Sequence, residues 1–290
     1  MTSFTGIWVP LVTPFTTAAE IDIAALQSMC RQLMAAGVSG LVVCGSTGEA
    51  AALGVEEQLQ VLDAVLATVP ASKVVMGLAG NNLPQVLGRL QQIQLRPVAG
   101  VLVTPPYYIR PSQAGIVDYF HAIADASSLP VILYNIPYRT GVDMELATIR
   151  SLAQHQRIVA IKDCGGNQHA TMQLIADRQL QVLTGEDHQL FSHLSLGGAG
   201  AIIAAAHIRP ELFVRMAALM DEGDLRQARE IFYRLLPMIR TLFEEPNPAP
   251  LKAALSMLGW TSDVLRAPMQ AATPAMKDKV ENLLAALQAS

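Results

Sequence analysis

Charge, aromatic rings and cysteine are all scarce in this chain. Of its 290 residues 15% are charged, 5% are aromatic and three are cysteine. Cys30, Cys44 and Cys164 are odd in number and lack C-x-x-C spacing, so neither a disulfide framework nor a zinc site is suggested. They read as reduced packing residues. Cys164, two residues beyond Lys162, and Cys44, at the end of an apolar run, leave a catalytic thiol as an alternative, although no histidine is placed to activate either. There is no block of like charges, and with a net charge of -4 the composition argues against nucleic acid and for small-molecule partners. No apolar run approaches the ~20 residues that span a bilayer, and the start from Met1 to Trp8 lacks the basic segment of a signal peptide. No membrane partner and a cytoplasmic location are therefore expected. No dinucleotide fingerprint follows the first apolar run, and Leu196-Gly197-Gly198-Ala199-Gly200 has the wrong spacing for one. Glu186, Asp187, His188 and His193 form an acid and histidine cluster. Histidines five apart do not share a helix face as an i, i+4 pair does, so no metal is expected.

Hydrophobic residues, in contrast, make up 51% of the chain, enough for a large core. Eight short apolar runs recur, at 8–12, 41–44, 74–77, 101–103, 131–134, 158–161, 182–183 and 201–203, with helical patterns between them. Residues 23–36 show the 3.6 period up to Gly37, and 56–69 run up to Pro70. Strands alternating with helices imply right-handed βαβ units. Eight such units in this length predict an α/β fold, a closed (β/α)₈ TIM barrel rather than an open doubly wound sheet. After Ile203 the periodicity is helical only, over 211–220, 225–243 and 251–258. The expected organisation is a catalytic barrel over 1–224 and a C-terminal helical domain over 225–290. The prolines within 244–250 forbid a continuous helix and mark a rigid turn.

In such a barrel the reacting groups stand at the C-terminal ends of the strands. The run 158–161 ends in Lys162, whose amine, against apolar walls, loses hydration and becomes a nucleophile for a carbonyl carbon. The second strand runs into Gly45-Ser46-Thr47-Gly48-Glu49, a loop able to turn N–H groups and hydroxyls toward a carboxylate, or simply a glycine turn with a capping hydroxyl. The fifth ends in Tyr134, either a proton shuttle or a core aromatic, with Arg139 on the following loop to clamp a carboxylate. The fourth leads into Tyr107 and Tyr108 between prolines, a stiff loop suited to an interface or a site.

Five motifs, G-S-T-G-E from Gly45, T-P-P-Y-Y-x-R-P-S-Q from Thr104, Y-N-I-P-Y-R-T-G from Tyr134, I-K-D around Lys162 and E-P-N-P-A-P-L-K from Glu245, occur in one order along nearly the whole chain. The combination resembles the dihydrodipicolinate synthases, members of the superfamily of Schiff-base pyruvate lyases. The resemblance implies that Lys162 forms an imine with pyruvate and that the resulting enamine attacks L-aspartate 4-semialdehyde, in lysine and diaminopimelate biosynthesis. Ser46 or Thr47 and the Gly45 backbone would hold the pyruvate carboxylate. Tyr134 would relay protons through Ser46 to Tyr108 of a neighbouring subunit, and Arg139 would bind the carboxylate of the aldehyde. Gly185 and Ile202 would line the pocket, and Glu49 would be a structural cap. No cofactor is implied, since the lysine is the electron sink, and a homo-oligomer built as a dimer of dimers is. Ser46-Thr47 replaces the family's common pair of threonines, as in sugar-acid lyases such as N-acetylneuraminate lyase. That alternative, and a catalytically silent sensor barrel, are the competing readings. At the positions matching the family's lysine-inhibition site stand Ala50, Val55, Gln58 and Val86, with Asn82 and Tyr107 retained. Without a carboxylate for the ammonium, weak or absent inhibition is expected.

Overall fold

The computed structural model describes residues 3–288. All eight apolar runs are strands: β1 Gly6–Pro10, β2 Gly40–Val43, β3 Val74–Leu78, β4 Gly100–Val103, β5 Val131–Asn135, β6 Ile158–Asp163, β7 Gln181–Thr184 and β8 Gly200–Ile202. Each is parallel to its neighbours, and β1 pairs with β8, so the sheet closes into a barrel in chain order. At the seam Gly6 stands opposite Gly200, where φ is +154° and a side chain would collide with the Gly6 backbone. Glycine is thus the residue that lets the last strand reach the first.

The continuous apolar character of the strands follows from burial on both faces. Trp8, Val42, Val75, Leu102, Ile132, Ala160, Leu183 and Ile202, one from each strand, form the inner cluster. Their neighbours Ile7, Leu41, Val74, Val101, Val131, Ile161 and Val182 pack outward against the helices. Phe4, ahead of β1, belongs to the inner cluster and stacks on Trp8 with ring centroids 5.5 Å apart.

The expected helix over 23–36 is Ile23–Ala35, started by the Asp22 carboxylate, which accepts from Ala25 N. The helix expected over 56–69 is shorter, Val55–Leu66, because residues up to Pro70 are taken up by turns. Past the barrel the helices Pro210–Asp221, Leu225–Thr241 and Ala249–Met257 match the periodic segments, and a further one, Pro274–Gln288, does so only in the structure. Residues of this tail, among them Leu235, Ile239, Leu251 and Leu284, share one continuous apolar layer with the outer face of the barrel. Helix Leu225–Thr241 stands over the mouth where β5 to β8 end and supplies Phe232, Leu236, Ile239 and Arg240 to its wall. Among the described residues no helix is long and apolar enough to cross a membrane.

Candidate active site

Lys162 shares the inward phase of Ala160 on β6 and pairs in register with Tyr134 on β5 and Leu183 on β7. Its side chain is 5% exposed and its Nζ lies 4.3 Å from the centre of the Tyr134 ring. Gly185, just past β7, makes room for it: a Cβ there would stand 2.5 Å from Lys162 Cε and would collide with Cys164 Sγ. Burial lowers the lysine pKa below its ordinary value, while Cys164, Asp187 and Glu186 pull it back up. Among the described residues no carboxylate forms an ion pair with Lys162. The ammonium form is therefore less stabilised than in water, and the amine loses its proton more readily than an exposed lysine does.

Burial likewise raises the Tyr134 phenol well above its ordinary pKa, opposed by its hydrogen bond with Ser46 and by the charge of Arg139. The phenol stays protonated at neutral pH and can donate or pass on a proton. Ser46 is exposed to the cleft, whereas Thr47 is buried and its hydroxyl accepts from Asn247 Nδ2 at 3.0 Å. Gly48 N donates to Gly45 O at 3.1 Å, and Gly48 O accepts from Thr13 Oγ1 at 2.7 Å. The loop is thus fastened at both ends, with Ser46 turned to the Tyr134 phenol.

Glu49 is not the helix cap expected of it. With φ at 53° its side chain caps nothing; its carboxylate turns inside to Lys252 Nζ at 2.5 Å and accepts from Arg266 N at 3.1 Å. Lys252 is wholly buried, lies 4.1 Å over the Phe15 ring and donates to Val264 O at 2.9 Å. Arg266 in turn grips Glu57 through two nitrogens at 2.7 and 2.8 Å. This network ties the β2 loop to the C-terminal segment. Nothing local in the sequence signals it, because its partners are about 200 residues apart.

Ser46, Thr47, Tyr134, Arg139, Lys162, Gly185 and Ile202 line one cleft of about 960 Å³. A desolvated amine, a protonated phenol and a loop of donors facing one space suit imine chemistry on a small keto acid. The chain matches, over residues 3–287, the family model described as the Dihydrodipicolinate synthetase family. It belongs to that family. Its relatives include the 4-hydroxy-tetrahydrodipicolinate synthase of Methanococcoides burtonii, 36% identical over 92% of each chain. The solved dihydrodipicolinate synthase of Aquifex aeolicus superposes with a TM-score of 0.94 at 32% identity, covering 97% of each chain. That of Cyanidioschyzon merolae, solved with lysine bound, gives 0.95 at 32% identity over 98% of each.

Within this dihydrodipicolinate synthetase family chain, some expected residues lie apart from the cleft. Gly45 lines an adjoining cavity of about 460 Å³ with Ser46, Tyr134 and Arg139. Tyr108 lines neither; it is 88% exposed, has φ of +71° and donates its N–H to Thr140 O at 2.9 Å. His193 turns into the barrel wall, its Nε2 2.9 Å from Val182 O, away from exposed His188. The thiols of Cys44 and Cys164 are pushed up by burial, Cys44 to about 12, so neither supplies a thiolate nucleophile. Sequence reasoning missed the contribution of Asp187, Phe232, Arg240 and Asn247 to the cleft. Asn247 was visible only as part of the proline-rich motif.

Proposed function

We propose that the protein is a 4-hydroxy-tetrahydrodipicolinate synthase, a Schiff-base lyase of the diaminopimelate and lysine pathway. The observation that carries this is Lys162, buried without a carboxylate, beside Tyr134 at the closed end of the cleft. The neutral amine adds to the keto carbon of pyruvate, and loss of water leaves the protonated imine. That imine accepts the electron pair released when the methyl group loses a proton, giving an enamine. Its carbon attacks the aldehyde of L-aspartate 4-semialdehyde, and the amino group of the adduct then displaces Lys162 and closes the ring.

Donors at Ser46, Thr47 and the Gly45 loop suit the pyruvate carboxylate, Ile202 its methyl end, and Gly185 leaves space for the lysine stem. Arg139, exposed and charged at the cleft, suits the carboxylate of the aldehyde. Tyr134, through Ser46, begins the proton relay. Tyr108 completes it from a second subunit: its side chain is exposed and lines neither cavity of its own chain, on a loop that also exposes Tyr107 and Ile109. The working form is thus a homo-oligomer, a dimer of dimers, acting in the cytoplasm. The C-terminal helical segment serves, through helix Leu225–Thr241 and the turn to Asn247, as a wall of the site as well as an appendage to the barrel. A second inference concerns lysine. Ala50, Val55 and Gln58 line the adjoining cavity, whose charged groups are Arg89 and Arg139, with no carboxylate among its lining residues. Such a cavity repels an ammonium group.

Turnover of pyruvate with L-aspartate 4-semialdehyde, coupled to the following reductase and followed as loss of NADPH, tests the reading. Lys162→Ala is expected to abolish turnover and also the mass gained when borohydride reduces the pyruvate imine. Trapping on wild-type Lys162 without turnover would instead favour a sugar-acid lyase.

A further inference from the structure

Asn135 closes β5 one residue beyond Tyr134 and pairs in register with Asp163, as Tyr134 pairs with Lys162. It is 3% exposed. Its side-chain amide spans the loop that follows: Nδ2 donates to Asp143 Oδ1 at 2.8 Å, and Oδ1 accepts from Met144 N at 3.1 Å. Its main-chain oxygen accepts from Cys164 N at 2.8 Å, so the same residue also holds the turn after β6. Gly165 lets that turn close over the amide, since a Cβ there would stand 2.6 Å from Asn135 Nδ2. The far end of the loop is a fixed post. Gln113, which opens helix Gln113–Ala126, donates through Nε2 to Asp143 O at 2.8 Å and accepts through Oε1 from Glu145 N at 3.0 Å.

Between β5 and that post stands the four-residue helix Pro137–Thr140, which carries Arg139 and has no side-chain cap at its N-terminus. So short a helix does not hold its own orientation. It also carries Thr140, whose carbonyl accepts from Tyr108 N at 2.9 Å. We infer that Asn135 is a positioning residue: by joining the post to β5, its amide fixes the span from the Tyr134 and Lys162 rung to Arg139 and to the base of the Tyr108 loop. This rests on the synthase reading and deepens it. The position asks for a donor to a carboxylate and an acceptor from an N–H on one short planar group, which asparagine supplies. Aspartate has the same shape but lacks the donor, and it sets a second anion against Asp143.

Two assays separate this role from general damage to the site. Deuterium exchange of the pyruvate methyl reports imine and enamine formation with no aldehyde present, and steady-state condensation with L-aspartate 4-semialdehyde reports the engagement of Arg139. Asn135→Asp is expected to raise KM for the aldehyde roughly 10-fold, the loss of one charge-assisted hydrogen bond, while KM for pyruvate and the exchange rate change far less. Adding Asp143→Asn restores a donor and an acceptor across the loop in the reverse direction, and is expected to recover part of that KM. Where Asn135→Asp does not fold, Asp143→Ala, at an exposed position, takes its place and is expected to raise KM for the aldehyde about 3-fold. An unchanged KM for the aldehyde in the folded variant, exchange falling as far as condensation, or a double variant no better than Asn135→Asp overturns the assignment while the synthase reading stands. Wild-type protein that exchanges the methyl but fails to condense the aldehyde overturns both.

Discussion

Lys162 and Lys252 are both buried, yet only Lys252 has a carboxylate at 2.5 Å. Burial lowers the pKa of each, and in Lys252 the charge of Glu49 opposes that fall at close range. One lysine is held as a structural cation and the other lacks such a partner, so the same burial acts with and without compensation. Asp187 shows the converse shift: burial lifts its carboxyl to about 7, partly opposed by the N–H of Ala205 and by Lys162. Its folded pKa exceeds its unfolded one, so the stability it contributes is complete below about 4 and is lost as pH rises through 7. Asp187→Asn keeps an oxygen for Ala205 N. Its stability is expected to gain on the wild type between pH 4 and 7, by an amount on the order of a few kcal/mol. Thermal unfolding of both proteins across that range checks it, and parallel curves would refute it. Lys162 and Tyr134 were legible as polar ends of apolar runs. The partners of Asp187 and Glu49 were not, because charge compensation depends on neighbours that sequence spacing does not reveal.

At the scale of elements, the eight strands were readable because strands buried on two faces leave near-continuous apolar runs between polar turns. Their bounds moved by one or two residues, as at β1, expected from Trp8 and found from Gly6. Helix Pro274–Gln288 escaped notice because its apolar positions, Met276, Val280, Leu284 and Leu287, are few and set among charged and small residues. The β2 loop is where element and tail meet. Thr47 is held by Asn247 and Glu49 by Lys252, so the loop's conformation depends on a segment 200 residues away. Lys252→Met is expected to cost about 3 to 5 kcal/mol by leaving the Glu49 charge buried alone, and Glu49→Gln with Lys252→Met is expected to recover much of it. Denaturant unfolding of the single and double variants measures both. A double variant no more stable than the single one would show that packing, not charge, dominates there.

For the whole molecule, Tyr108 sets the clearest requirement. If each site borrows this phenol from a neighbour, Tyr108→Phe and Lys162→Ala are each inactive alone, and mixing them under subunit exchange restores turnover in hybrids that hold one intact site. No recovery from exchanged mixtures would place the phenol's role within one chain or remove it. The cavity beside the cleft yields the second expectation: with Arg89 and Arg139 as its charged lining, lysine does not inhibit, and a steady-state titration with lysine shows a flat rate. The apolar pattern alone was enough for the barrel, its strand count and the placing of an amine and a phenol at strand ends, because these depend on local periodicity and on burial from both sides. Three-dimensional contact decided which charges are paired. Glu49 and Lys252 neutralise one another, while Lys162 and Arg139 have no ion-pair partner among the described residues, since electrostatic compensation is set by distance in space and not by separation along the chain.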